Sequence, residues 1–144
     1  MIRFDGVVMS LMSLLYISSS TMTVEDAPYE VARIAAASRA HNPTVDITGA
    51  LLFTGTHFAQ ILEGEEEAVD ALLAKLHADP RHRDLQVVQR GPIAMRRCAG
   101  WNMAYSGSST GVASYVMRVL DAADDEARAK AAKALANLMV EFVG

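Results

Sequence analysis

Three polar side chains stand where the surrounding sequence is apolar. Tyr16 sits within Leu14-Leu15-Tyr16-Ile17, Gln60 interrupts Phe58-Ala59-Gln60-Ile61-Leu62, and Asn42 closes a helical stretch ahead of Pro43. A phenol can donate or accept a hydrogen bond, and an amide offers a donor end and an acceptor end. A glutamine in so apolar a run is costly unless it is fully hydrogen-bonded. On pattern alone Tyr16 reads as a core tyrosine, Gln60 as a satisfied structural amide and Asn42 as a helix cap. Trp101 reads as a packing anchor and Met103 as core filler. Little other chemistry is on offer. His41, His57, His77 and His82 do not stand at metal-ligand spacing with a second His, Cys or carboxylate. No glycine-rich dinucleotide fingerprint, P-loop, His-Glu-x-x-His or nucleophile elbow is present. Cys98 reads as a small buried hydrophobe in a strand. Glu63, Glu65, Glu66 and Glu67 form a run at the start of a helix, where they complement its dipole. Arg81, Arg83, Arg90, Arg96 and Arg97 make a basic stretch with one acid, Asp84; it suits exposed strand ends or phosphate binding.

The elements that must position these groups follow from periodicity. Leu11 to Ser18 reads as a buried strand, broken by Ser18-Ser19-Ser20-Thr21. Thr23-Val24-Glu25-Asp26 resembles a capping box with Thr23 as N-cap. Ala27, Val31, Ile34, Ala35 and Ser38 then keep helical spacing up to His41-Asn42-Pro43. Asp46 to Phe53 and His57 to Leu62 read as strands of a hairpin around Thr54-Gly55-Thr56. A second helix starts at Gly64, carries Val69, Leu72, Leu73 and Leu76 on one stripe, and stops at Asp79-Pro80. Asp84 to Arg90 and Cys98 to Tyr105 complete five strands. The order βαββαββ predicts an α+β ferredoxin-like sandwich, a five-stranded mixed sheet with two helices on one face. Beyond Ser106-Gly107-Ser108-Ser109, two amphipathic helices follow, marked by Val112, Val116, Val119 and Leu120 and by Ala131, Leu135, Leu138 and Phe142. They are expected to cover the open sheet face or another subunit, and Met139 and Phe142 are candidates for a partner face. The expected division is residues 1–10 as an extension or the start of the first strand, 11–106 as the main domain and 107–144 as a helical cap.

Composition limits the rest. A chain of 144 residues, 51% apolar and 21% charged, suits one soluble domain with a core of its own. No apolar run reaches the roughly 18 residues of a membrane span. The stretch Val7 to Ile17 imitates a signal-peptide core, yet Asp5 beside Arg3 and the lack of a small-x-small site favour a strand. One cysteine rules out an internal disulfide and suits a reducing, cytoplasmic setting. A net charge of −4 argues against nucleic acid as a partner.

Taken together, five pieces in register resemble a BLUF domain, the blue-light sensor that uses FAD. They are Leu15-Tyr16-Ile17-Ser18; Ser38-Arg39-Ala40-His41-Asn42 with Ile47-Thr48-Gly49-Ala50-Leu51-Leu52; Phe58-Ala59-Gln60-Ile61-Leu62-Glu63-Gly64; Asp79-Pro80-Arg81-His82; and Arg97 through Trp101-Asn102-Met103. The resemblance runs from about Leu11 to Ser106 and implies FAD held between the two helices, above the sheet. It implies that Tyr16 is the photoactive tyrosine and Gln60 the switching glutamine. It further implies that Asn42 bonds the flavin ring edge, Arg81 stands near the ring carbonyls, and His41 and His82 pack against the ring. Trp101 and Met103 match the pair that changes environment during signalling. Excited flavin is a strong oxidant, so Tyr16 would donate an electron, with proton movement through Gln60; a rearranged amide would redden the absorption slightly. Two departures stand out: Cys98 replaces a common aromatic residue, and Asn102 a common serine.

The leading expectation is therefore a short photoreceptor, not an enzyme. Roughly 37 residues follow position 107, too few for a cyclase or phosphodiesterase domain. Output would pass to an effector protein, and a homo-oligomer is expected from the resemblance. The alternative is a light-blind interaction module of the same fold, against which Tyr16, Gln60 and Asn42 argue. A flavin enzyme is a third possibility, disfavoured because no acid–base pair or nicotinamide site is visible.

Overall fold

The computed structural model describes residues 2–4, 7–9, 11–100, 104–106 and 110–143. In chain order the elements are β1 (Ile2–Phe4), β2 (Val7–Met9), β3 (Leu11–Ser20), α1 (Ala27–His41), a 3₁₀ turn (Asn42–Val45), β4 (Thr48–Phe53), β5 (His57–Glu65), α2 (Glu66–Ala78), β6 (His82–Pro92), β7 (Ala104–Ser106), α3 (Thr110–Leu120) and α4 (Asp125–Val143). The class is α+β. Strands β1 and β2 form a small antiparallel pair of their own. The main sheet runs β6-β3-β5-β4 with every neighbour antiparallel, and the short β7 lies parallel beside β4.

The central strands β3, β4 and β5 are apolar on both faces because helices cover both faces. Alternation along β3 sends Leu14 and Tyr16 one way and Leu15 and Ile17 the other. Leu14 and Tyr16 join Val31 and Ile34 of α1, Val69 of α2, and Leu51, Phe58 and Leu62 in one core cluster. Leu15 and Ile17 join Val112, Val116 and Val119 of α3 and Ala132, Leu135 and Met139 of α4 in the other. The two C-terminal helices thus cover the second sheet face. Met139, expected as a partner contact, is instead 1% exposed. Side-chain burial of Phe142 falls outside the described residues.

Local chemistry explains where elements start and stop. Thr23 Oγ1 accepts from the Asp26 N–H at 3.2 Å, so half of the expected capping box forms, and α1 proper begins at Ala27. The α1 exit turns through Asp46 at φ 54, a left-handed conformation that Asp tolerates. Gly55 takes φ 102 in the β4–β5 turn, where a side chain would be strained. Strand β6 shifts register against β3 between Leu15 and Tyr16 and again between Ile17 and Ser19. Such irregularities bend a strand and re-aim its side chains.

Two expectations are corrected. The fifth strand does not start at Cys98: among the described residues, the segment that pairs with β4 is Ala104 to Ser106. Cys98 lies in a turn because its N–H is taken by the Glu63 carboxylate at 2.9 Å rather than by a strand neighbour. Glu63 is not part of a solvated acidic run at a helix start. It lies within β5 and is 1% exposed, whereas Glu65, Glu66 and Glu67 are exposed.

Candidate functional site

Strand register brings the first two candidates together. Tyr16 and Gln60 are direct cross-strand partners of β3 and β5, with both side chains on the α1–α2 face. The Tyr16 hydroxyl donates to Gln60 Oε1. Both residues are buried, at 0% and 2% exposure. Burial, reinforced by the negative charge of Asp79, pushes the Tyr16 phenol far above its usual acidity range. The phenol therefore keeps its proton and points it at the amide oxygen.

His82 is the third member of this buried group. Its ring meets Tyr16 edge-on at 5.9 Å and packs on Phe58 at 4.4 Å. Nδ1 lies 2.7 Å from Ser18 Oγ, and Nε2 is buried with no hydrogen-bond partner among the described residues. Burial lowers the affinity of His82 for a proton; Asp79 opposes this and Arg81 adds to it. A buried ring nitrogen without a partner is uncommon in a finished core and suits a polar group supplied from outside the chain.

The other candidates line a cavity of about 250 Å³ between α1 and α2. Ile34, Leu72 and Leu76 supply apolar wall, and Asn42, His41, Lys75, Asp79 and Arg81 supply polar groups. Leu72 and Leu76 belong to the helical stripe expected to be core, yet they are only half-buried. The α1 and α2 stripes therefore do not close on one another. Asn42 is 1% exposed at the end of α1, and His41 beside it is exposed. Arg81 is held by Asp79 at 2.7 Å and Glu30 at 3.3 Å. Burial raises the Asp79 carboxyl, but hydrogen bonds and charge from Arg81 outweigh this and hold it below its ordinary value. Tyr16, Gln60 and His82 do not line the cavity; Arg81 and His82, adjacent in the chain, join the buried group to it. Trp101 and Met103 lie outside the described residues.

A profile for "BLUF: Sensors of blue-light using FAD" matches residues 11–104. The chain belongs to the BLUF family. BLUF domains bind FAD and serve as light sensors in signal transduction rather than as enzymes. A photoactivated adenylate cyclase subunit beta of Euglena gracilis is 35% identical over 94 residues, which is 65% of this chain and 11% of that protein. The chain thus spans about a tenth of the curated relatives it matches. The dark-state structure of BlrB, a BLUF protein, is 32% identical and superimposes with a TM-score of 0.70, covering 87% of this chain and 98% of that one. A bacterial light-regulated adenylyl cyclase is 27% identical with a TM-score of 0.63, covering 92% of this chain and 40% of that one.

The residues present fit a flavin. The unpartnered His82 Nε2 and the half-open apolar walls of α1 and α2 both call for a ligand with a flat apolar body and a polar edge. Sequence reasoning missed six residues of this candidate site. Ser18 could have been found, since it lies two residues from Tyr16 on the same strand face. Ile34, Leu72 and Leu76 carry a plain core signature, and nothing in the sequence marks them as cavity wall. Lys75 and Glu30 gave no signal, because exposed helix charges are the ordinary case. Among the described residues, no helix is long and apolar enough to cross a membrane.

Proposed function

We propose that this BLUF chain is a blue-light photoreceptor in which Tyr16 and Gln60 form the light-sensing pair and a separate effector protein receives the signal. The observation that carries this reading is the buried hydrogen bond from the Tyr16 hydroxyl to Gln60 Oε1, set beside the α1–α2 cavity. Bound FAD would supply blue-light absorption and, in its excited state, the oxidising power that draws an electron from a phenol. Every other requirement falls on the chain. Tyr16 is an easily oxidised group, and oxidation makes its hydroxyl strongly acidic. Its proton then has one ready acceptor, Gln60 Oε1. Loss of that proton removes a buried donor from the amide oxygen, which favours a rearrangement of Gln60 and a different bonding when the proton returns. The result is a bistable hydrogen-bond network rather than a chemical product.

Asn42 and Arg81 would hold the polar edge of the flavin ring, with His41 and His82 against the ring itself. The half-buried Leu72 and Leu76 would exclude water. Trp101 and Met103 are proposed as relay residues on family resemblance alone. The strand order β6-β3-β5-β4 supports a ferredoxin-like assignment of residues 11–106, with 107–144 as a helical cap. Output through an effector is supported by the relatives that are light-regulated cyclases. A homo-oligomer in the cytoplasm, without nucleic acid or membrane as partner, completes the reading.

The test is the visible spectrum of the purified protein in darkness and just after a blue flash. A flavin spectrum that reddens and relaxes without bleaching is the expected result. A flavin spectrum that never shifts would leave a light-blind module of the same fold. Steady NAD(P)H oxidation would instead make the chain a flavin enzyme.

A further inference from the structure

Glu63 is the most deeply buried carboxylate among the described residues, and the light-sensing pair does not use it. It lies three residues beyond Gln60 on β5, so alternation places its side chain on the opposite, α4-facing side of the sheet. Both of its oxygens accept hydrogen bonds. Oε1 takes the Thr48 hydroxyl at 3.0 Å and the Cys98 N–H at 2.9 Å, and Oε2 takes the Arg97 N–H at 2.8 Å. The Glu63 carbonyl takes Arg96 Nη1 at 3.1 Å. One strand position thus fastens β4 and the 96–98 turn to β5. The connection continues outward, because Arg97 Nη1 donates to Asn137 Oδ1 of α4 at 2.9 Å. Cys98, in the same turn, packs into the core between the sheet and helices α3 and α4.

We propose that Glu63 is a positioning residue for output: it ties the strand that carries Gln60 to the 96–98 turn, and Arg97 passes that tie to Asn137 of α4. This rests on the light-sensing role given above to Tyr16 and Gln60. The geometry favours transmission along this path. Glu63 and Gln60 share one short stretch of β5 backbone, so a shift of that strand moves the carboxylate. Two backbone N–H groups bound to one carboxylate follow it, since breaking either would leave a buried charge under-satisfied. Apolar packing of α4 on Ile61 offers no such directional link, because it tolerates small slides.

The experiment compares hydrogen exchange in α4, in darkness and under blue light, for the FAD-loaded full chain and its Glu63→Gln, Arg97→Ala and Asn137→Ala variants. Glu63→Gln keeps the size of the side chain but replaces one acceptor oxygen with a donor facing the backbone N–H groups. The flavin red shift should survive in all three variants, because none of these side chains is on the Tyr16–Gln60 face. The light-dependent change in α4 exchange should be lost in all three. A light-dependent change that persists in Arg97→Ala or Asn137→Ala overturns the proposal. These two side chains are exposed, so the variants remain informative even where Glu63→Gln does not fold. A wild-type chain that shows no red shift overturns the light-sensing reading and this one with it. A wild-type chain that reddens without any change in α4 overturns this proposal alone.

Discussion

At the scale of single residues, the buried Tyr16–Gln60 pair is proposed to carry the photochemistry. Gln60→Leu should abolish the red shift while leaving flavin bound, as difference spectra would record. An unchanged shift would remove Gln60 from the mechanism. Tyr16→Phe should lose the normal photocycle and, by removing one buried hydrogen bond, destabilise the fold by about 0.5–1.5 kcal/mol in a denaturant titration. A normal photocycle in that variant would dismiss the phenol. His82 carries a pH dependence. Burial holds its folded-state pKa below the ordinary 6.5, with Asp79 opposing and Arg81 assisting. The unfolded chain therefore binds more protons than the folded chain once the pH drops through 6.5. Stability present above that pH is lost as the pH falls toward the lower folded value. Asp79, held below 3.8, makes its own loss only in more acidic solution. Melting temperature should thus fall between pH 7 and 5, and His82→Gln should flatten that slope; an equally steep slope would exclude the imidazole. Tyr16 and Gln60 were visible in the sequence as polar intrusions in apolar runs. Lys75 and the buried Glu63 were not, because lysine and glutamate in those settings have commoner explanations.

At the scale of elements, each helix depends on the sheet face it covers. Leu135 of α4 is fully buried against β-sheet side chains and α3. Leu135→Ala should cost about 2–5 kcal/mol, through lost transfer energy and an unfilled cavity. The flavin red shift should persist, because the cavity opens on the far side of the sheet. A midpoint unchanged in urea would mean that α4 does not pack as described. Most elements were legible from periodicity: β3, the β4–β5 hairpin and all four helices follow their apolar spacing. The last strand was not. Its apolar content from Cys98 onward imitated a strand, but Glu63 draws the Arg97 and Cys98 N–H groups out of any ladder. A hydrogen bond from a side chain 35 residues away leaves no local trace in sequence. The opening of α1 from α2 was hidden for a related reason. Val69, Leu72, Leu73 and Leu76 make a continuous stripe, and the stripe alone does not tell what it faces.

At the scale of the whole molecule, one sheet separates two helical layers that differ in how completely they close. The α1–α2 layer is incompletely closed, whereas the α3–α4 layer is packed through Val116, Val119, Leu135 and Met139. A ligand seated between α1 and α2 would complete the first layer and stabilise the whole fold by mass action. FAD at 100 times its dissociation constant should add about 2.7 kcal/mol. Ala37 lines the cavity from the exposed side of α1, so it offers a way to fill that space without touching the core. Ala37→Trp should leave the stability of the flavin-free chain within about 0.5 kcal/mol, as exposed substitutions usually do. The same variant should lose the rise in melting temperature that FAD gives the wild-type chain. If FAD still stabilises Ala37→Trp to the full extent, the flavin does not sit between α1 and α2. If the flavin-free variant is itself strongly destabilised, α1 and α2 are closed in solution and the half-buried Leu72 and Leu76 are ordinary core. Only loss of the FAD-dependent part, with the basal part retained, agrees with a sensor layer that its cofactor completes.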